Sequence, residues 1–170
     1  HIYALSVNMM LGIRLGAELV LHPRFDAEAA LKDIATKKIT SFPGVPTMFT
    51  ALLGHPDIAK YDLSSLKYCG SGGAPLPLEV AQRFEKATGC PLSEGWGMTE
   101  TSPTGTFTPV NGKRKAGSCG LPMPRIEIRL LDLHDPSRYV ASGERGEMCI
   151  RGPNVMKGYW NKPEATAAVT

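Results

Sequence analysis

The sequence has 170 residues, of which 42% are hydrophobic and 21% are charged, a composition typical of a globular protein and not of a disordered chain. Nineteen lysine and arginine residues against sixteen aspartate and glutamate residues give a net charge of +3, too small a surplus to indicate nucleic-acid binding. The most apolar stretch, residues 2–13, is shorter than the roughly 20 residues that a membrane span needs.

The first two thirds of the chain alternate predicted helices with predicted strands. Helices are expected over residues 1–19, 27–38, 46–53 and 78–88, and strands over residues 18–21, 39–42, 66–70 and 92–95. Asp26 is a favourable N-cap for the second helix, Pro46 suits the first turn of the third, and Gly89 ends the fourth. The first helix is expected to be mostly buried, because apolar residues fill most of it.

This alternation predicts an α/β fold with a mostly parallel sheet and flanking helices. Further along the chain the pattern changes, and Ile126, Ile128 and Leu130 alternate with charged residues as in a half-buried strand. We therefore expect two parts: an α/β part over residues 1–111, and a β-rich part, barrel-like or a twisted sheet, over residues 112–170.

The cysteines give no sign of a metal site. They stand far apart, at positions 69, 90, 119 and 149, and the four histidines are scattered. A zinc site would need ligands at closer spacing. No basic stretch leads into an apolar run at the start of the chain, so no signal peptide is predicted. Reduced, mostly buried thiols in a cytoplasmic protein are the prediction.

The first candidate motif is a glycine-rich segment, residues 70–75, between a predicted strand and a predicted helix. Small residues let the backbone approach a ligand closely, and N–H groups at the start of the helix can bind an anion. The segment lacks the Gly-Lys-Ser/Thr of a phosphate loop and is not in register with G-x-G-x-x-G. It is compatible with a ligand-binding loop and with an ordinary tight turn.

The second candidate motif, residues 95–100, follows the next predicted strand. Since the carboxyl ends of parallel strands converge on one crevice, the two loops could face each other. Trp96 between two glycines can present its ring to a flat heterocycle, while the hydroxyl of Thr99 suits phosphate and the carboxylate of Glu100 suits Mg²⁺. A buried tryptophan beside solvated polar residues is the alternative.

Three further features are predicted to be structural when taken singly. Residues 146–160 have the pattern of a strand and a following turn, with charges that serve structure more often than chemistry. Residues 44–47 form a strand-to-helix turn that could line a pocket. His1 has no local context that would make it functional.

Taken together and in this order, these segments resemble the adenylate-forming superfamily of acyl-CoA synthetases, luciferases and peptide-synthetase adenylation domains. Residues 95–100 are similar to the family's G-[YW]-G-x-T-E signature, and residues 146–160 to its G-E-[LI]-x-[IV]-x-G-P-x-V-M-x-G-Y-W stretch. The first five residues and residues 71–76 look most like the long- and medium-chain fatty acyl-CoA ligases. Ala74 stands where peptide-synthetase domains usually have an acidic residue.

The resemblance implies a two-step reaction. A fatty acid carboxylate attacks the α-phosphate of ATP with Mg²⁺, which gives acyl-AMP and pyrophosphate, and the thiol of coenzyme A then displaces AMP. ATP, Mg²⁺ and coenzyme A are the implied cofactors and co-substrates. The partners implied are these small molecules, with no nucleic acid.

The resemblance also assigns roles. One wall of the adenine site would consist of Gly72, Gly73, Ala74 and Pro75, and the opposite side of Gly95, Trp96, Gly97 and Met98. Thr99 would contact phosphate, and Glu100 would be the Mg²⁺ ligand. His1 corresponds to a catalytic position near the acyl carboxylate. The acyl tunnel would be lined by Gly44, Val45, Pro46 and Thr47.

Segments that the family carries elsewhere are not found in these 170 residues: the phosphate loop with its lysine, the T-G-D motif and the C-terminal domain. We therefore expect an inactive fragment of a larger cytoplasmic ligase, with peripheral membrane contact possible through the basic loop 113–115. The alternatives are an aryl or short-chain acid ligase, a luciferase-like enzyme, and a non-catalytic module that binds nucleotide or protein.

Overall fold

The computed structural model describes residues 1–109 and 111–169. Helix α1 is π-helical over Ala4–Met10 and α-helical over Leu11–Leu15, and it is followed by α2 (Ala27–Lys37), α3 (Pro46–Gly54), α4 (Leu78–Thr88) and α5 (Pro163–Ala167). The strands are β1 (Ser41–Gly44), β2 (Tyr68–Ser71), β3 (Leu92–Trp96), β4 (Thr106–Phe107), β5 (Leu121–Pro122), β6 (Glu127–Leu131) and β7 (Glu147–Arg151). Short 3₁₀ turns lie at Ile58–Lys60 and Thr99–Thr101.

Local signals fix the helix ends where they were predicted. The Asp26 carboxylate accepts a hydrogen bond of 2.8 Å from the amide of Ala29 and so caps α2. Pro46 occupies the first turn of α3, where its missing N–H costs nothing. Gly89 ends α4 with a φ of 71°, a left-handed conformation that favours glycine.

The main sheet has the order β1-β2-β3-β4-β5. Strands β1, β2 and β3 run parallel, whereas β4 and β5 pair antiparallel. The register places Gly44 opposite Ser71, and Ser71 opposite Glu94. The prediction of an α/β fold with a parallel-rich sheet is confirmed. The last residues of β1 and β2, Gly44 and Ser71, lie in register with Glu94 of β3, two residues before that strand ends.

The core lies between this sheet and helices α2, α3 and α4. Phe49 and Phe84 are fully buried there and meet edge to face, with ring centroids 5.1 Å apart. Leu31 and Ile34 of α2 close the same cluster. Burying side chains of this size stabilises the fold by about 1.5–3 kcal/mol each. The sheet edge that follows β1–β3 therefore rests on a packed support.

The β-rich character expected after residue 111 is present. Strands β6 and β7 pair antiparallel over five residues each, from Glu127 opposite Arg151 to Leu131 opposite Glu147. In the described part of this segment the two strands form a ribbon and close no barrel. No helix in the described ranges is both long and apolar enough to cross a bilayer.

Three expectations are wrong. Residues 18–21 form no strand, because no neighbouring strand pairs with them in the described chain. Helix α1 is not mostly buried: Gly12 is its one buried residue, and Leu15 is 70% exposed. Burial depends on a second layer over the helix, which periodicity cannot reveal. The thiols are free, but only Cys69 and Cys90 are buried, and Cys149 is exposed.

Candidate functional site

The glycine-rich loop is anchored to its neighbours at the carboxyl edge of β1–β3. The amide of Gly72 donates a hydrogen bond of 3.1 Å to the carbonyl of Gly44, which joins the loops after β1 and β2. The amide of Leu76 donates a hydrogen bond of 3.0 Å to Oε1 of Glu94, which ties the glycine-rich loop to β3. The arrangement is the one expected from parallel strands, whose carboxyl ends share a crevice.

The glycine-rich loop owes its path to small residues. Gly73 has a φ of 81°, in the left-handed region where a side chain is strained. A Cβ at Gly72 would lie 3.3 Å from the ring of Tyr3, so a side chain there would press on that ring. Ala74 and Pro75 are exposed, so this stretch of backbone is open to a ligand.

Tyr3, at the start of the first helix, packs against the start of the glycine-rich loop. Its hydroxyl donates a hydrogen bond of 3.2 Å to the carbonyl of Gly70, and burial raises the pKa of the phenol above its usual range. The Nδ1 atom of His1 accepts a hydrogen bond of 3.2 Å from the amide of Tyr3. His1 is exposed, and this contact is a local one with Tyr3, the residue that touches the glycine-rich loop.

The residues proposed for the acyl side adjoin the same loop. The Cγ1 atom of Val45 lies 3.5 Å from the position that a Cβ on Gly73 would take. Gly44 and Pro46 are buried beneath this contact, while Thr47 is exposed. The structure therefore brings Gly44 and Val45 together with the glycine-rich loop.

Trp96 lies at the end of β3 and packs against the neighbouring antiparallel segment. Its amide donates a hydrogen bond of 3.3 Å to Oγ1 of Thr106. Its six-membered ring lies on Gly105, where an added Cβ would come within 2.5 Å of Cζ3. One face of the indole is thus covered by backbone, and the side chain as a whole is half-buried.

The backbone at Gly97, directly after Trp96, lies unusually close to the backbone of Pro103. A Cβ at Gly97 would lie 1.6 Å from the carbonyl oxygen of Pro103, a distance that no side chain can occupy. The Thr101 hydroxyl, fully buried, donates to the Pro103 carbonyl at 3.0 Å and accepts from the amide of Met98 at 3.0 Å. Thr99 and Met98 are exposed on this turn.

Glu100 is oriented by the third motif. The hydroxyl of Tyr159 donates a hydrogen bond of 2.7 Å to Oε1 of Glu100, and the amide of Met156 donates one of 2.8 Å to its carbonyl. The phenol lowers the pKa of the Glu100 carboxyl, and the carboxylate raises the pKa of Tyr159. Sequence reasoning treated residues 146–160 as structural and missed Tyr159, although the Tyr159-Trp160 pair was part of the quoted signature.

Glu100 fits a magnesium ion that is shared with a nucleotide. Within residues 1–109 and 111–169 no three His, Cys, Asp or Glu side chains cluster as metal ligands. Mg²⁺ bound together with a nucleotide characteristically takes one or two carboxylates, with phosphates and water as the remaining ligands. A single oriented carboxylate is the donor set that this mode of binding needs.

Two clefts lie on the surface of the described residues, and one of them adjoins the glycine-rich loop. One, of about 210 Å³, separates α4 from residues 114–118 and reaches Leu76 and Glu94 at its inner end. Arg114 pairs with Glu85 across its mouth. The other, of about 320 Å³, follows the β6–β7 ribbon beside Arg129 and Tyr139, away from the predicted site residues.

Comparison with known proteins agrees with the motifs. The model of the AMP-binding enzyme family matches residues 1–160. The long-chain-fatty-acid–CoA ligase of Bacillus subtilis (strain 168) is 48% identical over 169 residues, which cover 99% of this chain and 30% of that protein. The long-chain-fatty-acid–CoA ligase of Escherichia coli O157:H7 is 42% identical over 168 residues, which cover 98% and 29%.

The fold agrees as well. The crystal structure of an anthranilate CoA ligase in complex with anthranoyl-AMP superposes with a TM-score of 0.90 at 29% identity, over 98% of this chain and 32% of that chain. The chain spans about a third of the length of the proteins that it matches.

Proposed function

The chain belongs to the AMP-binding enzyme family, and from that premise we propose that the full-length protein carrying it is an ATP-dependent fatty acid–CoA ligase. The observation that carries the proposal is the identity of 48% and 42% to two long-chain-fatty-acid–CoA ligases along nearly the whole chain. Such an enzyme first joins the acid to AMP with release of pyrophosphate, and then transfers the acyl group to the thiol of coenzyme A.

The nucleotide role is assigned to the two loops at the carboxyl edge of the sheet. Gly72, Gly73, Ala74 and Pro75 would form one wall of the adenine site, with Gly95, Trp96, Gly97 and Met98 on the other side. The hydrogen bond between Leu76 and Glu94 supports this assignment, because it holds the glycine-rich loop against the strand that bears Trp96. Open backbone at Ala74 offers hydrogen-bonding groups to a base.

The chemical role is assigned to Thr99, Glu100 and His1. Glu100 would hold Mg²⁺, which when bound supplies positive charge against the phosphates of ATP. Thr99, exposed on the turn before Glu100, would donate a hydrogen bond to phosphate. His1 would lie by the acyl carboxylate, with Gly44, Val45, Pro46 and Thr47 along the acyl chain.

The proposed division into an α/β part over residues 1–111 and a β-rich part over residues 112–170 places all of these residues in the first part. Residues 110 and 170 lie outside the described structure, so the boundary rests on the change in sequence pattern. Tyr159 then links the second part to the site in the first.

Replacing Glu100 tests the proposed function. Glu100→Ala in the full-length protein should lower ATP–pyrophosphate exchange driven by a fatty acid roughly 100-fold, the effect of losing one charge-stabilising group. Glu79→Ala is the matched control, since Glu79 lies exposed on α4 and, among the described residues, pairs with Arg83 of its own helix. Equal losses of exchange and of thermal stability in Glu100→Ala would instead favour a purely structural role.

A separate experiment tests which carboxylic acid is the substrate. A series of fatty acids of increasing chain length, with anthranilate as an aryl comparison, should show the highest kcat/KM for a long chain. Preference for the aryl acid would move the assignment to an aryl-acid ligase. The 170-residue chain alone is expected to show no exchange, because the related enzymes are about three times as long.

The proposed location is the cytoplasm, with peripheral contact to anionic membranes through loop 113–115. Arg114 already pairs with Glu85 through its guanidinium group, so Lys113 and Lys115 would provide the contact. Cosedimentation with vesicles that contain anionic lipid, compared with neutral vesicles, tests this. A Lys113→Ala, Lys115→Ala variant should lose the difference between the two kinds of vesicle.

A further inference from the structure

The third motif wraps around the turn that carries Glu100. Besides the contacts of Glu100 itself, the side-chain amide of Asn154 donates hydrogen bonds of 2.8 Å to the carbonyl of Thr101 and 2.9 Å to that of Thr104. The third motif is therefore hydrogen-bonded to the chain both before and after Pro103.

The backbone of Tyr159 is anchored to helix α5. Its amide donates a hydrogen bond of 2.9 Å to Oγ1 of Thr166, a residue of α5, and that hydroxyl donates one of 2.9 Å to the carbonyl of Lys162. This bond fixes the backbone position from which the side chain of Tyr159 extends. The phenol that donates the bond of 2.7 Å to Glu100 thus belongs to a residue anchored at its main chain.

The donor to the Glu100 carboxylate is an uncharged phenol, and this affects how the carboxylate can bind a cation. A carboxylate has two oxygens, and a phenol that donates to Oε1 leaves Oε2 available as a ligand. Lysine or arginine in the same place would add a positive charge that competes with a cation, and no such ion pair to Glu100 is found among the described residues. A neutral donor orients the carboxylate and keeps its charge.

We propose that Tyr159 is a positioning residue that orients the Glu100 carboxylate so that Oε2 receives the divalent cation of the metal–nucleotide complex. The inference rests on the proposed function, since it takes Glu100 to be the metal ligand. Groups that hydrogen-bond to a metal ligand without touching the metal orient that ligand, and their loss typically lowers metal affinity 10- to 100-fold.

The experiment uses Tyr159→Phe in the full-length protein, a change that removes one oxygen atom. Binding of Mn²⁺ in the presence of α,β-methylene-ATP, followed by electron paramagnetic resonance, should weaken about tenfold. Binding of the same nucleotide in EDTA should be unchanged, because the proposed walls of the adenine site are untouched. Tyr139→Phe is the matched control, since Tyr139 stacks on Arg129 in the ribbon, and it should bind Mn²⁺ as the unchanged protein does.

A double-mutant cycle separates orientation from local disruption. In a Glu100→Gln background, Tyr159→Phe should change Mn²⁺ affinity less than twofold, because the ligand that it orients is already lost. A tenfold effect that persists in that background, or an unchanged affinity in the single Tyr159→Phe variant, would overturn the inference and leave the proposed function standing. Failure of the unchanged protein to bind the metal–nucleotide complex would overturn both.

Discussion

Gly97 offers the sharpest test of the site geometry. A Cβ at this position would lie 1.6 Å from the carbonyl oxygen of Pro103, 2.7 Å from its carbonyl carbon and 2.9 Å from Cα of Thr104. All three atoms belong to backbone, so no side chain can rotate away from the added methyl group. Gly97→Ala therefore requires the 103–104 segment to move.

The cost of that movement follows from what holds the segment. Pro103 accepts a hydrogen bond of 3.0 Å from Thr101, and Thr104 accepts one of 2.9 Å from Asn154. Overpacking costs about 1–3 kcal/mol, and each hydrogen bond that is lost costs about 1 kcal/mol more. With one of these two hydrogen bonds lost, we expect Gly97→Ala to lower the free energy of unfolding by about 2–4 kcal/mol.

Chemical denaturation of the full-length protein measures this change, with Gly54→Ala as the control. Gly54 lies at the end of α3 with no atom within 4 Å of an added Cβ, so its replacement should be neutral or stabilising by up to about 1 kcal/mol. Gly97→Ala should also weaken Mg²⁺–ATP binding at least tenfold, because the displaced segment adjoins Glu100. A Gly97→Ala protein as stable as the parent, with unchanged nucleotide affinity, would show that the close approach does not exist.

The remaining predictions concern one carboxylate and the thiols. Glu94→Ala removes the acceptor for the Leu76 amide and should weaken ATP binding roughly tenfold, whereas Glu94→Gln keeps an oxygen acceptor and should stay within about threefold in the same equilibrium titration. In the 170-residue chain, alkylation mapped by mass spectrometry should modify exposed Cys149 long before buried Cys69. Burial raises the pKa of the Cys69 thiol, so its contribution to stability is complete below the unfolded-state pKa of about 8.5 and is lost as the pH rises above it. The melting temperature should fall more steeply above that pH than in Cys69→Ala, and parallel curves would contradict the burial.

How well the fold could be predicted depended on where each signal lies. Helix α4 has the predicted bounds, because an amphipathic pattern and a C-terminal glycine are encoded within the helix itself. Strand β1 was predicted at residues 39–42 and forms at Ser41–Gly44, since the ends of a strand are set by its partner. The strand predicted at residues 18–21 does not form for the same reason, because an apolar run becomes a strand only where another strand can pair with it.

The site divides in the same way. Residues proposed to contact a ligand through their backbone, such as Gly73 with its left-handed φ, can be recognised in the sequence as glycines in a short motif. Glu94 and Tyr159 could not be assigned a role in this way, although Tyr159 lies in the family signature, because each acts through a hydrogen bond to a residue 18 or 59 positions away in the chain. No local pattern marks such a partner, and only the tertiary fold brings the pair together.

These two long-range bonds also predict that the segment between them will tolerate little change in length. Glu94 is tied to the loop before it through Leu76, and Glu100 is tied to the segment after it through Tyr159. Both carboxylates are therefore fixed to neighbouring elements, and the chain between them must span a set distance while passing the close contact at Gly97. An inserted residue would break one anchor or push the backbone into Pro103. The number of residues between Glu94 and Glu100 is thus set by the two hydrogen bonds that anchor these carboxylates. Glycine at position 97 lets the backbone between them pass Pro103.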